Sequence, residues 1–166
     1  MRVPFQVLVI PFRRTAAGPE FAVLKRSDTD YWQFVAGGGE AGETPIQAAQ
    51  REAQEEIGIA GEPVPLDSMC TVPKGCFGKA GSWGDDIFVI PEHCFAIDEG
   101  NRDISLSREH TEFRWVPFVQ ASSLLKWDSN RTVLARFLVD RPARSAPPIL
   151  DCWRWKLRRR RRHCLN

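Results

Sequence analysis

No apolar stretch in this chain of 166 residues approaches the roughly 18 consecutive residues of a membrane-spanning helix. The run Val7-Leu8-Val9-Ile10 is short, stops at Pro11 and is followed by Arg13 and Arg14, so it reads as a strand rather than a signal peptide. No internal repeat is visible. Cysteine is sparse and irregular: Cys70, Cys76, Cys94, Cys152 and Cys164 form an odd set without metal-ligand spacing. They read as free thiols in a reducing cytoplasm, with a disulfide between one pair as the alternative.

What is present is an ordinary soluble composition, 43% hydrophobic and 27% charged, at a length that fits one domain with a real core. The net charge of +2 hides an asymmetry. Residues 1–141 carry 15 Lys and Arg against 20 Asp and Glu, whereas residues 142–166 carry 8 against 1. Pro142, Pro147 and Pro148 mark the change, so a domain over residues 1–141 is followed by a proline-containing linker and a basic tail.

Between residues 37 and 59 the order GGGEAGETPIQAAQREAQEEIGI fixes Gly37, Glu43, Arg51, Glu52, Glu55, Glu56 and Gly58 in one register. Thr44-Pro45-Ile46-Gln47 is a helix start, with a Thr cap, Pro at the first helical position and Gln three residues after the cap. Gly58 supplies the stop. Ile46, Ala49, Ala53 and Ile57 recur at the helical period and are expected to face a core. At about 100° per residue, Glu52, Glu55 and Glu56 then share an arc of roughly 100° away from that stripe. Carboxylates one turn apart repel, and a bound dication reverses the sign; their oxygens are ligands that Mg²⁺ and Mn²⁺ prefer. Arg51, four residues before Glu55, is placed to orient it. An ordinary solvated Glu-rich face is the alternative, and the full register decides against it.

This order resembles the signature of the Nudix hydrolases, G-x5-E-x7-R-E-U-x-E-E-x-G-U with U apolar, at every non-apolar position. Ala53 fills an apolar slot more often held by a larger residue. The resemblance implies an α/β/α sandwich and cleavage of a nucleoside diphosphate linked to another moiety. It gives Glu52, Glu55 and Glu56 the metal, Mg²⁺ or Mn²⁺, and gives Arg51 and Glu43 a supporting role.

The rest of the chain agrees with an α/β class. Apolar segments at residues 5–12, 21–25 and 31–36 read as strands before the helix, and residues 87–90, 94–97 and 110–116 as strands after it. Residues 61–86, rich in Gly and Pro, read as a long loop, and residues 131–139 as a closing helix. Strands on both sides of one helix, with another at the end, predict a mixed sheet covered on two faces.

The flanks allow a narrower comparison. Leu24-Lys25-Arg26-Ser27-Asp28, Tyr31-Trp32-Gln33, Glu109-His110-Thr111 and Trp127-Asp128-Ser129-Asn130-Arg131 resemble the bacterial dihydroneopterin triphosphate pyrophosphatases, also described as dATP pyrophosphohydrolases. That resemblance implies a nucleotide or pterin triphosphate as substrate, with monophosphate and pyrophosphate as products. It makes Glu109 an extra metal ligand or the base, with Glu112 its competitor. Of Lys25 and Arg26, strand alternation lets at most one reach substrate phosphates. Trp32 is a candidate for stacking on a base or pterin, with a core position as the alternative. Gly37 joins the substrate-binding candidates, while Ser129 and Asn130 are expected to cap the last helix. Tyr31 is the only tyrosine and precedes the signature, which disfavours the diadenosine-polyphosphate branch. Gly75 stands where the ADP-ribose branch carries Pro, and oxidised-nucleotide sanitation stays open. The tail, Cys152-Trp153-Arg154-Trp155-Lys156-Leu157 and five arginines after it, carries a rival reading as a module for nucleic acid or an anionic surface; a solvated extension is the alternative.

Overall fold

The computed structural model describes residues 1–77, 83–100 and 102–140. The linker and basic tail, with Cys152 and Cys164, lie outside the described residues. Of the other three cysteines, all are free thiols.

Seven strands form one mixed sheet: β1 Arg2–Thr15, β2 Gly18–Arg26, β3 Trp32–Gln33, β4 Val35–Glu40, β5 Val64–Pro73, β6 Val89–Asp98 and β7 His110–Pro117. The main path runs β3-β2-β1-β6-β5, with β4 added to β1 and β7 to β2. Among the described residues β1 and β6 pair in parallel and the other strand pairs are antiparallel, with one isolated parallel bridge from Trp32 to Leu125. There are three α-helices among the described residues, α1 Pro45–Ile57 between β4 and β5, and α2 Phe118–Leu124 and α3 Asp128–Asp140 after β7. Among the described residues no helix is long and apolar enough to cross a membrane.

The period of two along β1 divides the core. Leu8, Ile10 and Phe12 pack with Phe21, Phe34 and the α3 residues Val133, Leu134 and Phe137. Val7 and Val9 face the other way, onto Ala48, Ala49, Ala53 and Ile57 of α1. The sheet is thus covered on both faces, as the α/β/α expectation required. Ala53 is fully buried, its small side chain seated where helix and sheet meet.

The capping reading of α1 holds in detail. Thr44 accepts from the Gln47 backbone, Gln47 caps back, and Gly58 ends the helix at φ 70°. The apolar stripe shifts, however: Ile46 is 37% exposed and Ala48 takes its place in the core. Ile46 is the second residue of the helix, beside the exposed Thr44 and Gln47.

Other expectations are corrected. Residues 61–86 are no continuous loop, because β5 occupies Val64–Pro73. As the terminal strand of the path, β5 tolerates Pro65 and Pro73, which removed the sequence signal. The two short strands expected at residues 87–90 and 94–97 are one, β6, running through Pro91. Pro91 is accommodated because β1 joins only from Glu92 onward, at Gln6. The single strand expected at residues 31–36 breaks at Phe34, with β3 paired to β2 and β4 to β1. Asn130 makes that break: its Oδ1 accepts the Phe34 N–H at 2.8 Å while the residue is 3% exposed. Asn130 is therefore an internal anchor within α3, whose first turn is closed by the Trp127 carbonyl.

Candidate active site

The signature residues converge through Arg51. Its Nε donates to Glu43 Oε1 at 2.8 Å and its Nη2 to Glu43 Oε2 at 3.0 Å, a bidentate clamp on the loop before α1. Nη2 also donates to the Gly38 carbonyl at 2.9 Å, tying the helix to β4. Nη1 then reaches Glu52 Oε1 at 2.7 Å and Glu55 Oε2 at 3.2 Å. One guanidinium thereby holds loop, strand and two carboxylates in a fixed relation.

Gly37 explains its own identity. A Cβ there would sit 1.9 Å from Glu52 Cδ, so the β4 backbone can lie against that carboxylate only without a side chain. Burial pushes the Glu52 carboxyl up to about 7, against the pull of Arg51. Arg51 holds Glu43 below its ordinary value.

The three glutamates of the helix do not share one solvated face. Glu55 is exposed, Glu52 is largely covered, and Glu56 is buried. Glu56 Oε2 lies 2.6 Å from Nε2 of His110, and Oε1 accepts the Ala36 N–H at 3.3 Å. Burial raises the Glu56 carboxyl, and His110 opposes the rise. His110 was passed over in the sequence; its only signal was its place beside Glu109.

A cleft of about 770 Å³ opens beside this cluster, lined by Gly37, Glu52, Arg26 and Glu109 among others. Arg26 and Glu109 pair in its wall, Nη1 to Oε2 at 2.9 Å, and Arg26 also clamps Asp28. Lys25 points away to Asp30 and does not line the cleft, in keeping with strand alternation. Glu112 pairs with Arg114 at 2.7 Å, likewise outside the cleft. Trp32 does not line it either: its ring lies beneath the Arg114 guanidinium at 4.6 Å and packs on the core, so the stacking expectation moves to other rings. Tyr31 and Trp127 do line the cleft, edge to face with centroids 5.4 Å apart. Glu92, a charged residue inside an apolar strand, also lines the cleft and was not singled out by the sequence reading.

Among the described residues, no three acidic, imidazole or thiol side chains are already gathered around a common metal position. The donor chemistry nevertheless fits a hard dication. Glu52 and Glu55 present carboxylate oxygens to a single guanidinium nitrogen, a place where positive charge is already favoured.

The sequence model of the NUDIX domain matches residues 4–137. The chain belongs to the Nudix family. Over 141 residues this Nudix hydrolase is 30% identical to the dihydroneopterin triphosphate diphosphatase of Escherichia coli K12, covering 82% of this chain and 93% of that protein. A solved structure of a Nudix hydrolase from Listeria monocytogenes superposes with a TM-score of 0.73 at 43% identity, covering 84% of this chain and 93% of that one. The E. coli dihydroneopterin triphosphate pyrophosphohydrolase superposes with a TM-score of 0.68 at 26% identity, over 83% and 97% of the two chains. Arg51, Glu52, Glu55 and Glu56 lie within the matched residues.

Proposed function

We propose that this Nudix hydrolase cleaves a (deoxy)nucleoside or pterin triphosphate to the monophosphate and pyrophosphate, using Mg²⁺ or Mn²⁺. The observation that carries the reading is the Arg51-organised carboxylate cluster, whose Glu52 lines a cleft with Tyr31 and Trp127 in its wall. Glu52, Glu55 and Glu56 would hold the metal, with Glu109 contributing from the loop before β7. Bound there, the ion would neutralise charge on the phosphate oxygens and lower the pKa of the attacking water.

The protein's own residues do the rest. Arg51 keeps Glu52 and Glu55 in register and locks the loop through Glu43. Glu52, whose carboxyl lies at about 7, gives up its proton when the ion binds, since metal and proton compete for the same oxygens. Arg26 is a cation placed to meet phosphate, facing the cleft together with Arg2 and held by Asp28 and Glu109. Tyr31 and Trp127 offer ring faces and edges to a planar heterocycle.

The deciding experiment is a panel of dihydroneopterin triphosphate, dATP, 8-oxo-dGTP, ADP-ribose and diadenosine tetraphosphate, each with Mg²⁺ and with Mn²⁺, read as pyrophosphate release. The expected result is metal-dependent pyrophosphate from a triphosphate. Cleavage of ADP-ribose or diadenosine tetraphosphate with every triphosphate untouched would overturn the reading.

A further inference from the structure

Glu92 takes no part in the chemistry above. It lies on β6 where the strand meets β1, lines the cleft, and is 2% exposed. Its register partner Gln6 donates Nε2 to Oε1 at 2.9 Å. Oε2 makes no hydrogen bond of good geometry among the described residues, and the nearby Ser129 hydroxyl is the one donor that favours its charged form without closing such a bond. A buried acceptor without a donor is costly, and such groups in folded proteins call for a specific reason.

The surroundings narrow what the reason is. Asn130, also in the cleft wall, has its oxygen committed to the Phe34 N–H and its nitrogen to the Ser129 hydroxyl. Burial pushes the Glu92 carboxyl up, while the Ser129 hydroxyl and the Gln6 amide oppose that. Tyr31 and Trp127 line the same cleft, so a planar ring held by them would stand in one cavity with this carboxyl.

We propose that Glu92, backed by Gln6, reads the heterocycle of the substrate by accepting the adjacent N–H donors of a 2-amino-4-oxopyrimidine edge, the edge that guanine and pterins share. The proposal rests on the triphosphate reading above and adds the class of ring. A carboxylate offers acceptors only, so two neighbouring donors satisfy it. Adenine places an acceptor, its ring N1, beside its amino group and would leave one oxygen facing a lone pair. A site built on a buried hydrogen-bonding group rejects an analogue that lacks the matching donor, because the group is then left unpaired.

The test compares dGTP with dITP, which differ only in the exocyclic amine, in the wild type and in Glu92→Gln. Calorimetric binding of GMP and IMP, which carry no anhydride to cleave, runs alongside. We expect the wild type to favour dGTP in kcat/KM, and GMP in affinity, by at least about tenfold, and the Glu92→Gln ratios to fall to within about threefold of unity. Glu92→Asp, which keeps the acceptors but withdraws them by one methylene, is a second variant expected to lower the ratios. A wild type without selectivity for the amine overturns the proposal, as does selectivity that survives in both variants. Selective GMP binding that depends on Glu92, without cleavage of any triphosphate, would sink the reaction reading and uphold this one.

Discussion

Glu56 and His110 meet at 2.6 Å, carboxylate Oε2 to imidazole Nε2, with both side chains buried. The contact joins the signature helix to the start of β7, and with the Ala36 N–H it holds both oxygens of Glu56. Glu56 is therefore oriented from behind by the sheet, in contrast to the exposed Glu55. Removing the charge while keeping the shape, in Glu56→Gln, is expected to lower kcat/KM at least about a hundredfold, about 2.7 kcal/mol of barrier. His110→Ala leaves the carboxylate with the Ala36 amide alone and is expected to cost about 1–3 kcal/mol of stability. Kinetics and urea melts on the two variants check this, and undiminished turnover in Glu56→Gln would remove Glu56 from the site.

Glu52 makes stability depend on pH in a defined direction. Its carboxyl lies at about 7 in the folded protein against an ordinary 4.5, so folding favours the protonated form. That contribution is complete below about pH 4.5 and is lost as pH rises through about 7. Glu56 and Glu92, also raised, act in the same direction. Glu43 and Asp28, held down by arginines, have finished titrating below this window. In EDTA, unfolding free energy is expected to fall from pH 5 to pH 8, with about 2 kcal/mol from Glu52 after allowance for screening. Mg²⁺ at pH 8 should restore it, because metal and proton compete for the same oxygens. A profile with the same slope in Glu52→Gln would show that another group is responsible.

The approach of β4 to Glu52 gives a contrast between two neighbouring glycines. In Gly37→Ala the new Cβ would overlap the Glu52 carboxylate, and in Gly38→Ala it would overlap the Arg2 guanidinium. Both obstacles are ends of flexible side chains, so each variant is expected to fold, with melting temperature within a few degrees of wild type, about 1 kcal/mol or less. Displacing Glu52 disturbs the proposed metal platform, so Gly37→Ala should lose at least about tenfold in kcat/KM, about 1.4 kcal/mol. Gly38→Ala should lose less. Equal losses in the two would place the importance of this stretch in its backbone rather than in Glu52.

Local signals carried the sequence reading furthest. Thr44, Gln47 and Gly58 act within a turn of themselves, and they bounded α1 correctly. Ala48 was missed for Ile46 because a helical period alone does not say where the sheet begins to cover the helix. The partner of Glu56 stands 54 residues away, and nothing local to α1 announces it. β5 was invisible because its prolines and mixed exposure are allowed only by its place at the end of the strand path. Trp32 was offered to the substrate by its residue type, yet its neighbour Tyr31 lines the cleft. Which of two adjacent aromatic residues faces a cavity depends on strand pairing, and the break at Phe34 sets that pairing.

Asn130 is the residue on which that break depends. Its oxygen takes the N–H of Phe34 across 96 residues of sequence, at the point where the chain passes from β3 to β4. Asn130→Ala would leave a buried amide without an acceptor, and the expected cost is about 1–3 kcal/mol of stability. Were the residue a surface cap, the loss would be about 1 kcal/mol or less and Ser129→Ala would match it. Because β4 carries Gly37, looser anchoring at Phe34 should also reach the site, so Asn130→Ala is expected to lower kcat/KM while Ser129→Ala changes stability little. Amide exchange separates the cases: the Phe34 N–H should lose protection in Asn130→Ala alone. Equal protection of that amide in both variants would show that β4 is held in place without the Asn130 bond.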